Sequence, residues 1–357
     1  NFMRSDMNAI NKIIKKKDLV LTQSNKVKEF EKKWSKWLGV KYSTFVNSGS
    51  SANFITLSIL KILNKNKKKN EIIVPTLTWV SDISSVIMNG FKPIFVDINF
   101  ENLSMNIDQV LKKISKKTLA VFMTHSQGFN GLNEKLIKNL KRKKIHLIED
   151  VCESHGAKFA NKKLGTFGLI SNFSFYYAHH LTTIEGGMIC TNNKRVYELS
   201  RILRSHGMLR ESGNKSFENK IKNKYRNLSP QFIFLYPTLN FRNTEIGAVI
   251  GLNQLKRLDE NNIKTLDAYI SNTPKLVEID RGYSHLHDDG STHFHNSGSI
   301  SVYVSQVMLP KTGYWLMEIS STDKALDLQA SSVLLQVREH SLSPVIGSHA
   351  PLSKQLL

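Results

Sequence analysis

"IHLIED" (Ile145–Asp150) is a run of apolar and branched residues that stops on two carboxylates. A short apolar run of this kind fits a strand covered on both faces. Similar runs precede it: "STFV" (Ser43–Val46), "EIIVP" (Glu71–Pro75), "KPIFVDI" (Lys92–Ile98) and "LAVFMTH" (Leu119–His125). Between them lie helical patterns over Val27–Leu38, Asn53–Leu63 and Trp79–Met88. Strand and helix alternating from about Val20 to Leu255 predict an α/β domain built on a mixed, mainly parallel sheet with helices on both faces. Such sheets place ligands at the carboxyl ends of their strands. There lie "VNSGSS" (Val46–Ser51), "VPTLTW" (Val74–Trp79) and "IEDVCESHG" (Ile148–Gly156).

At 357 residues the chain is long enough for a large domain and a smaller one. Its two cysteines, Cys152 and Cys190, stand far apart, which disfavours a disulfide framework, a zinc knuckle or a four-cysteine iron-sulfur cluster. With neither a secretory leader pattern nor an apolar run of bilayer length, the expectation is a cytoplasmic protein without membrane contact. The net charge of +21 sits in short lysine runs such as Asn64–Asn70 and Lys138–Lys144. Without aromatic interleaving or a recognition-helix motif, these read as solvated surface, not a nucleic-acid interface. The bias stops near residue 267: Lys plus Arg number 44 before Ala268 and 6 after it. We therefore expect a large domain over 1–255, with an N-terminal helical segment, and a small α+β domain over 256–357 that is atypical from about 268. The tail pattern of short strands and turns equally fits a segment from a different source or reading frame.

The small residues of Val46–Leu60 join a strand to a helix. Free amides at that helix start, with the Ser50 and Ser51 hydroxyls, make a phosphate cradle, and a plain Ser/Gly cap reads equally well. Asp150, at a strand end, could hold a cationic ring nitrogen or cap a helix. Glu149 and Glu153 read as polar rim. The histidine cluster His285–His295 lacks the spacing of a metal site. "FSFYYAHHLTTIEGG" (Phe173–Gly187) has the look of an active-site loop.

Taken in order, "VNSGSSAN", "PTLTWVSDISSVIMNGFKPIFVDI", "IEDVCESHGA", "FSFYYAHHLTTIEGGMICT" and "LNFRNTEIGAVIGLNQLKRLD" resemble the DegT/DnrJ/EryC1/StrS sugar aminotransferase family, from roughly Leu19 to Leu258. The resemblance implies the aspartate-aminotransferase-type fold, pyridoxal phosphate (PLP) as cofactor, and a homodimer with active sites at the subunit interface. It carries phosphate contacts to Gly49, Ser50 and Ser174, and from the partner subunit to Asn240. It also carries the ring-stacking aromatic to Trp79 and the ring-nitrogen partner to Asp150. Glu153 stands where aminotransferases have Gln, near the ring oxygen. "YPTLNFR" (Tyr236–Arg242) lacks the usual Gly-Tyr before Asn240.

In that family the loop after Ser174 carries the lysine that binds the cofactor covalently; here the position is His179, with His180 beside it. This exchange resembles the sugar 3-dehydratase subgroup acting on GDP-4-keto-6-deoxymannose or CDP-4-keto-6-deoxyglucose, and two cysteines favour the iron-free, GDP-linked type. The implied chemistry uses pyridoxamine phosphate on a nucleotide-linked 4-keto-6-deoxy sugar. His179 takes a proton from the cofactor, the C3 hydroxyl leaves, and L-glutamate restores the amine. Such a reaction serves deoxysugar and surface polysaccharide synthesis. The alternatives are a sugar aminotransferase using another lysine, and a non-catalytic binder of nucleotide sugars.

Overall fold

The branched apolar runs become the central sheet of the protein, seen here in a computed structural model. It describes residues 2–17, 20–99 and 102–262, and beyond these only the backbone of five strands. The chain divides into two units, Asn1–Asn262 and Ile263–Leu357.

In the first unit, helices α1 (Arg4–Ile14) and α2 (Asn25–Leu38) precede β1 (Tyr42–Val46), α3 (Gly49–Leu63), β2 (Glu71–Pro75), α4 (Val80–Met88) and β3 (Lys92–Val96). Then come α5 (Ile107–Lys113), β4 (Thr118–Thr124), α6 (Glu134–Lys143) and β5 (His146–Asp150). A small hairpin of β6 (Lys158–Phe159) and β7 (Lys162–Lys163) leads to β8 (Ile170–Ser174) and β9 (Gly187–Thr191). Helices α7 (Lys194–Arg204), α8 (Lys215–Lys224) and α9 (Glu245–Leu255) complete it. The seven-stranded sheet has the order β1-β9-β8-β5-β4-β2-β3. Pairing is parallel from β8 through β3, and β9 runs antiparallel to both β8 and β1.

Period-two alternation splits the apolar runs between two cores. Ile73, Val121 and Met123 join Phe30 and Trp34 of α2, Leu136 of α6 and Leu252 of α9 on one face. Ile72, Val74, Ala120 and Phe122 join Ile55 and Leu57 of α3, Val86 of α4 and Leu199 of α7 on the other. Because both faces are covered, a central strand has no solvent side. Glu149, read from sequence as rim, is accordingly fully buried within β5. Its carboxylate accepts hydrogen bonds from the Gly165, Phe167 and Gly168 amides at 2.7, 2.9 and 2.6 Å.

The second unit is described by its strands: β10 (Lys275–Leu286) pairs antiparallel with β11 (Thr292–Val304), and β12 (Val307–Met308), β13 (Tyr314–Ile319) and β14 (Ser331–Gln336) form an antiparallel three-stranded sheet. The side chains of the histidine cluster at 285–295 lie outside the described residues. Among the described residues, no helix is long and apolar enough to cross a membrane.

Candidate active site

Strands β1, β8, β5, β4 and β2 share one orientation, so their carboxyl ends meet along one edge. At the β1 end the chain turns into α3 through Ser48, whose hydroxyl accepts from the Ser51 amide at 3.0 Å and donates to the Ser51 hydroxyl at 2.9 Å. The amides of Gly49 and Ser50, in the first turn, have no intrahelical acceptor and sit at the positive end of the helix dipole. Gly49 is buried and Ser50 is exposed.

Gly49 and Ser174 come together at close range. A Cβ on Gly49 would stand 2.6 Å from the Ser174 Cβ and 3.1 Å from the Cys152 Sγ. One on Gly187, which pairs with both Val46 and Ser174, would collide with the Ser48 carbonyl oxygen. The second glycine of the pair is thus required by the approach of β9 to the start of α3. The pleat sorts the aromatic run: Phe173 and Phe175 are fully buried against Trp34, Ser174 faces the helix start, and Tyr176 and Tyr177 are exposed.

Asp150 closes β5 and is buried. Its Oδ1 accepts the Cys152 amide at 2.9 Å and its Oδ2 accepts Nδ2 of Asn53 from α3 at 2.9 Å. The same Nδ2 donates to Oδ1 of Asp82 in α4 at 2.6 Å. Burial, and then the charge of Asp150, push the Asp82 carboxyl well above the usual carboxylate range.

His179 sits on the turn after β8, where its amide donates to the Tyr176 carbonyl at 3.1 Å. Its ring lies 6.1 Å from that of Tyr176 and 6.0 Å from that of buried His155, centroid to centroid. Burial pushes the His179 imidazole down to about 4, and the Asp150 charge pulls the other way without overcoming it. The ring is therefore neutral at pH 7. In an NMR titration of the cofactor-free protein, His179 is expected to protonate near pH 4, and a midpoint near the ordinary 6.5 would contradict the burial. The unfolded chain then binds the extra proton between pH 6.5 and 4, so acidification through that window lowers stability by about 3 kcal/mol.

The other expected residues lie around this centre. Trp79 is the N-cap residue of α4 and is 66% exposed. Glu153 accepts the Gln127 amide at 2.9 Å, and burial followed by the Asp150 charge raises its pKa. Asn240 is exposed, accepts the Arg242 amide at 3.1 Å, and belongs to a segment joined to the β1 end through the bond from the Asn47 amide to the Phe241 carbonyl. Sequence reasoning passed over Asn53, Asp82 and His155. The available signal for Asp82 was a carboxylate in the otherwise uncharged helix "VSDISSVIM".

A model of the DegT/DnrJ/EryC1/StrS aminotransferase family matches residues 3–309. The GDP-4-keto-6-deoxy-D-mannose 3-dehydratase of Escherichia coli O55:H7 is 34% identical over 241 residues, 67% of this chain and 62% of that protein. The chain thus spans less than two thirds of that relative's length. A solved structure of the E. coli GDP-4-keto-6-deoxy-D-mannose-3-dehydratase with bound hydrated PLP superposes with a TM-score of 0.68 at 30% identity, covering 82% of this chain and 78% of that one. Another solved structure, of GDP-4-keto-6-deoxymannose-3-dehydratase with a trapped PLP-glutamate geminal diamine, gives a TM-score of 0.68 at 26% identity, covering 91% and 79%.

Proposed function

The chain belongs to the DegT/DnrJ/EryC1/StrS aminotransferase family, and we propose that it removes the C3 hydroxyl of a nucleotide-linked 4-keto-6-deoxyhexose, using pyridoxamine phosphate and L-glutamate. The observation that carries this reading is His179, a partly buried imidazole that desolvation keeps neutral against the pull of Asp150, at the position that resembles the family's lysine site. Imidazole cannot form the covalent link to the cofactor aldehyde that a lysine makes, yet it can accept and return a proton.

The residues present fit the cofactor. The Gly49 and Ser50 amides and the Ser174 hydroxyl are donors suited to a phosphate at a helix start, and the close approach at Gly49 leaves no room there for a side chain. Asp150 Oδ1 accepts the Cys152 amide and Oδ2 accepts Asn53 Nδ2, and a carboxylate oxygen has a further lone pair that can take a ring-nitrogen proton. Trp79 offers an exposed aromatic face, Glu153 stands near the ring oxygen, and the partner subunit's Asn240 would complete the phosphate site.

When bound, the pyridoxamine form supplies an amine that condenses with the 4-keto group and a ring that accepts electrons. Asp150 holds the proton on the ring nitrogen. One imidazole nitrogen of His179 takes the proton released beside the ring, and the resulting imidazolium, drawn toward the Asp150 charge, delivers it to the departing C3 oxygen. A homodimer is supported by the exposed apolar side chains Val80, Ile87 and Met88 along α4, since exposed apolar surface of this kind marks interaction sites. The proposed substrates fit a cytoplasmic enzyme that serves lipopolysaccharide or other surface polysaccharide synthesis.

The test is the product mass after incubation with PLP, glutamate and GDP-4-keto-6-deoxymannose. Loss of the C3 oxygen is expected. Gain of nitrogen, with a lysine fixed to the cofactor by borohydride, would make the chain an aminotransferase. No change with either this sugar or its CDP-linked counterpart would overturn the dehydratase reading.

A further inference from the structure

The Asp82 carboxylate closes a triangle of short oxygen contacts. Its Oδ2 lies 2.6 Å from Thr78 Oγ1 and 2.7 Å from Thr124 Oγ1, and the two hydroxyls lie 2.7 Å from each other. All three separations are hydrogen-bond distances, and three such bonds need three protons. Two threonine hydroxyls supply two of them. An ionised Asp82 would leave one oxygen pair in contact without a hydrogen, whereas a protonated one completes a ring: carboxyl to one threonine, that threonine to the other, and the other back to the carboxyl.

The bridge to Asp150 points the same way. Asn53 Nδ2 donates to both carboxylates, while its Oδ1 accepts from Asn172 Nδ2 at 2.8 Å and Asn172 Oδ1 accepts the Thr56 hydroxyl at 2.8 Å. Asp82 and Asp150 are both buried, and among the described residues neither forms an ion pair with a lysine or arginine. The titratable groups facing the pair are the thiol of Cys152, with Glu153 and His179 on the Asp150 side. Two uncompensated charges cannot both be retained in so dry a site.

We propose that Asp82 is a protonated carboxylic acid which, through Asn53, positions Asp150 and leaves it as the single negative charge of the pair. The functional half of this rests on the proposed role of Asp150 at the ring nitrogen. With Asp82 neutral, one anion meets one ring proton. Were both ionised, the bound site would carry a surplus negative charge; were both protonated, nothing would hold the ring proton. Asp82 is thus a positioning residue, and it sets the proton content of the site.

Infrared spectroscopy of the cofactor-free protein at pH 7 tests the proton directly. The parent is expected to show a buried carboxylic-acid carbonyl band that is absent from Asp82→Asn. Should that variant fail to fold, Thr124→Val assigns the band, because losing a hydrogen-bond partner shifts the carboxyl it touches. Absence of any such band in the parent, or a band indifferent to both substitutions, overturns the proposal. For the functional half, 15N-labelled PLP is loaded and its ring nitrogen followed by NMR. In Asp82→Asn the ring nitrogen is expected to stay protonated at pH 7, as in the parent. Its deprotonation in the variant would show Asp82 to be the charged member and overturn the assignment. A parent that takes up no PLP would refute the proposed function, while the infrared band still decides the state of Asp82.

Discussion

His179→Asn is expected to lower the rate of C3 hydroxyl loss by about 10^3-fold or more, since one general acid–base group contributes about 10^2 to 10^4 and the proposed mechanism uses the same ring in both directions. Asparagine approximates the polar end of histidine and can fill the turn after β8, but its amide takes up no proton near neutral pH. The groups assigned to the cofactor, Gly49, Ser50, Ser174 and Asp150, lie on α3, β8 and β5, so PLP affinity is expected to change by no more than a few-fold. Rapid-quench turnover alongside a PLP titration separates the two quantities. Undiminished turnover would remove His179 from the chemistry, and a non-catalytic binder would show no difference between parent and variant. Equal losses of turnover and PLP binding would mean instead that the imidazole holds the loop in place. Its contacts with the His155 and Tyr176 rings make that alternative measurable.

Much of the sheet was legible because its strands are short apolar runs closed by polar residues. β2 falls on the expected Glu71–Pro75, and β5 begins one residue after the expected Ile145. α3 starts at Gly49 and not at Asn53, since Ser48 caps a turn of small residues that carries no apolar periodicity. The antiparallel β9 was not legible. Its register follows from Gly187 passing against the carbonyl of Ser48, a contact between residues far apart in the chain. The site divides in the same way. Gly49, Ser174, Asp150 and His179 lie in contiguous motifs at strand ends, whereas the Asn53–Asp82–Asp150 bridge joins α3, α4 and β5, and no local pattern announces it.

The misreading of Glu149 leads to the second large effect. Glu149→Gln is expected to destabilise the first unit by about 3–5 kcal/mol, combining a buried N–H left unpaired with charge-assisted hydrogen bonds reduced to neutral ones, with a fall in Tm on the order of 10 °C. The carboxylate gathers three backbone amides that otherwise have no acceptor in the turn at 165–168. A glutamine retains one oxygen and turns an NH2 toward amides that can only donate, so at least one buried N–H is left unpaired. The turn has little freedom to move away: Gly165 has φ +90, and a Cβ there would lie 2.7 Å from the ring of Phe173. Because β8 follows directly, the displacement would reach Ser174 and loosen the phosphate end of the proposed site. Glu153→Gln is the control, since Glu153 accepts only the Gln127 amide, which a glutamine oxygen can still take, so the change should cost less than about 1 kcal/mol. Melting curves for the two variants decide the matter. If Glu149→Gln melts within a degree or two of the parent, the buried carboxylate does not hold the turn, and the placement of Ser174 must be attributed to the pairing of β8 with β5 and β9.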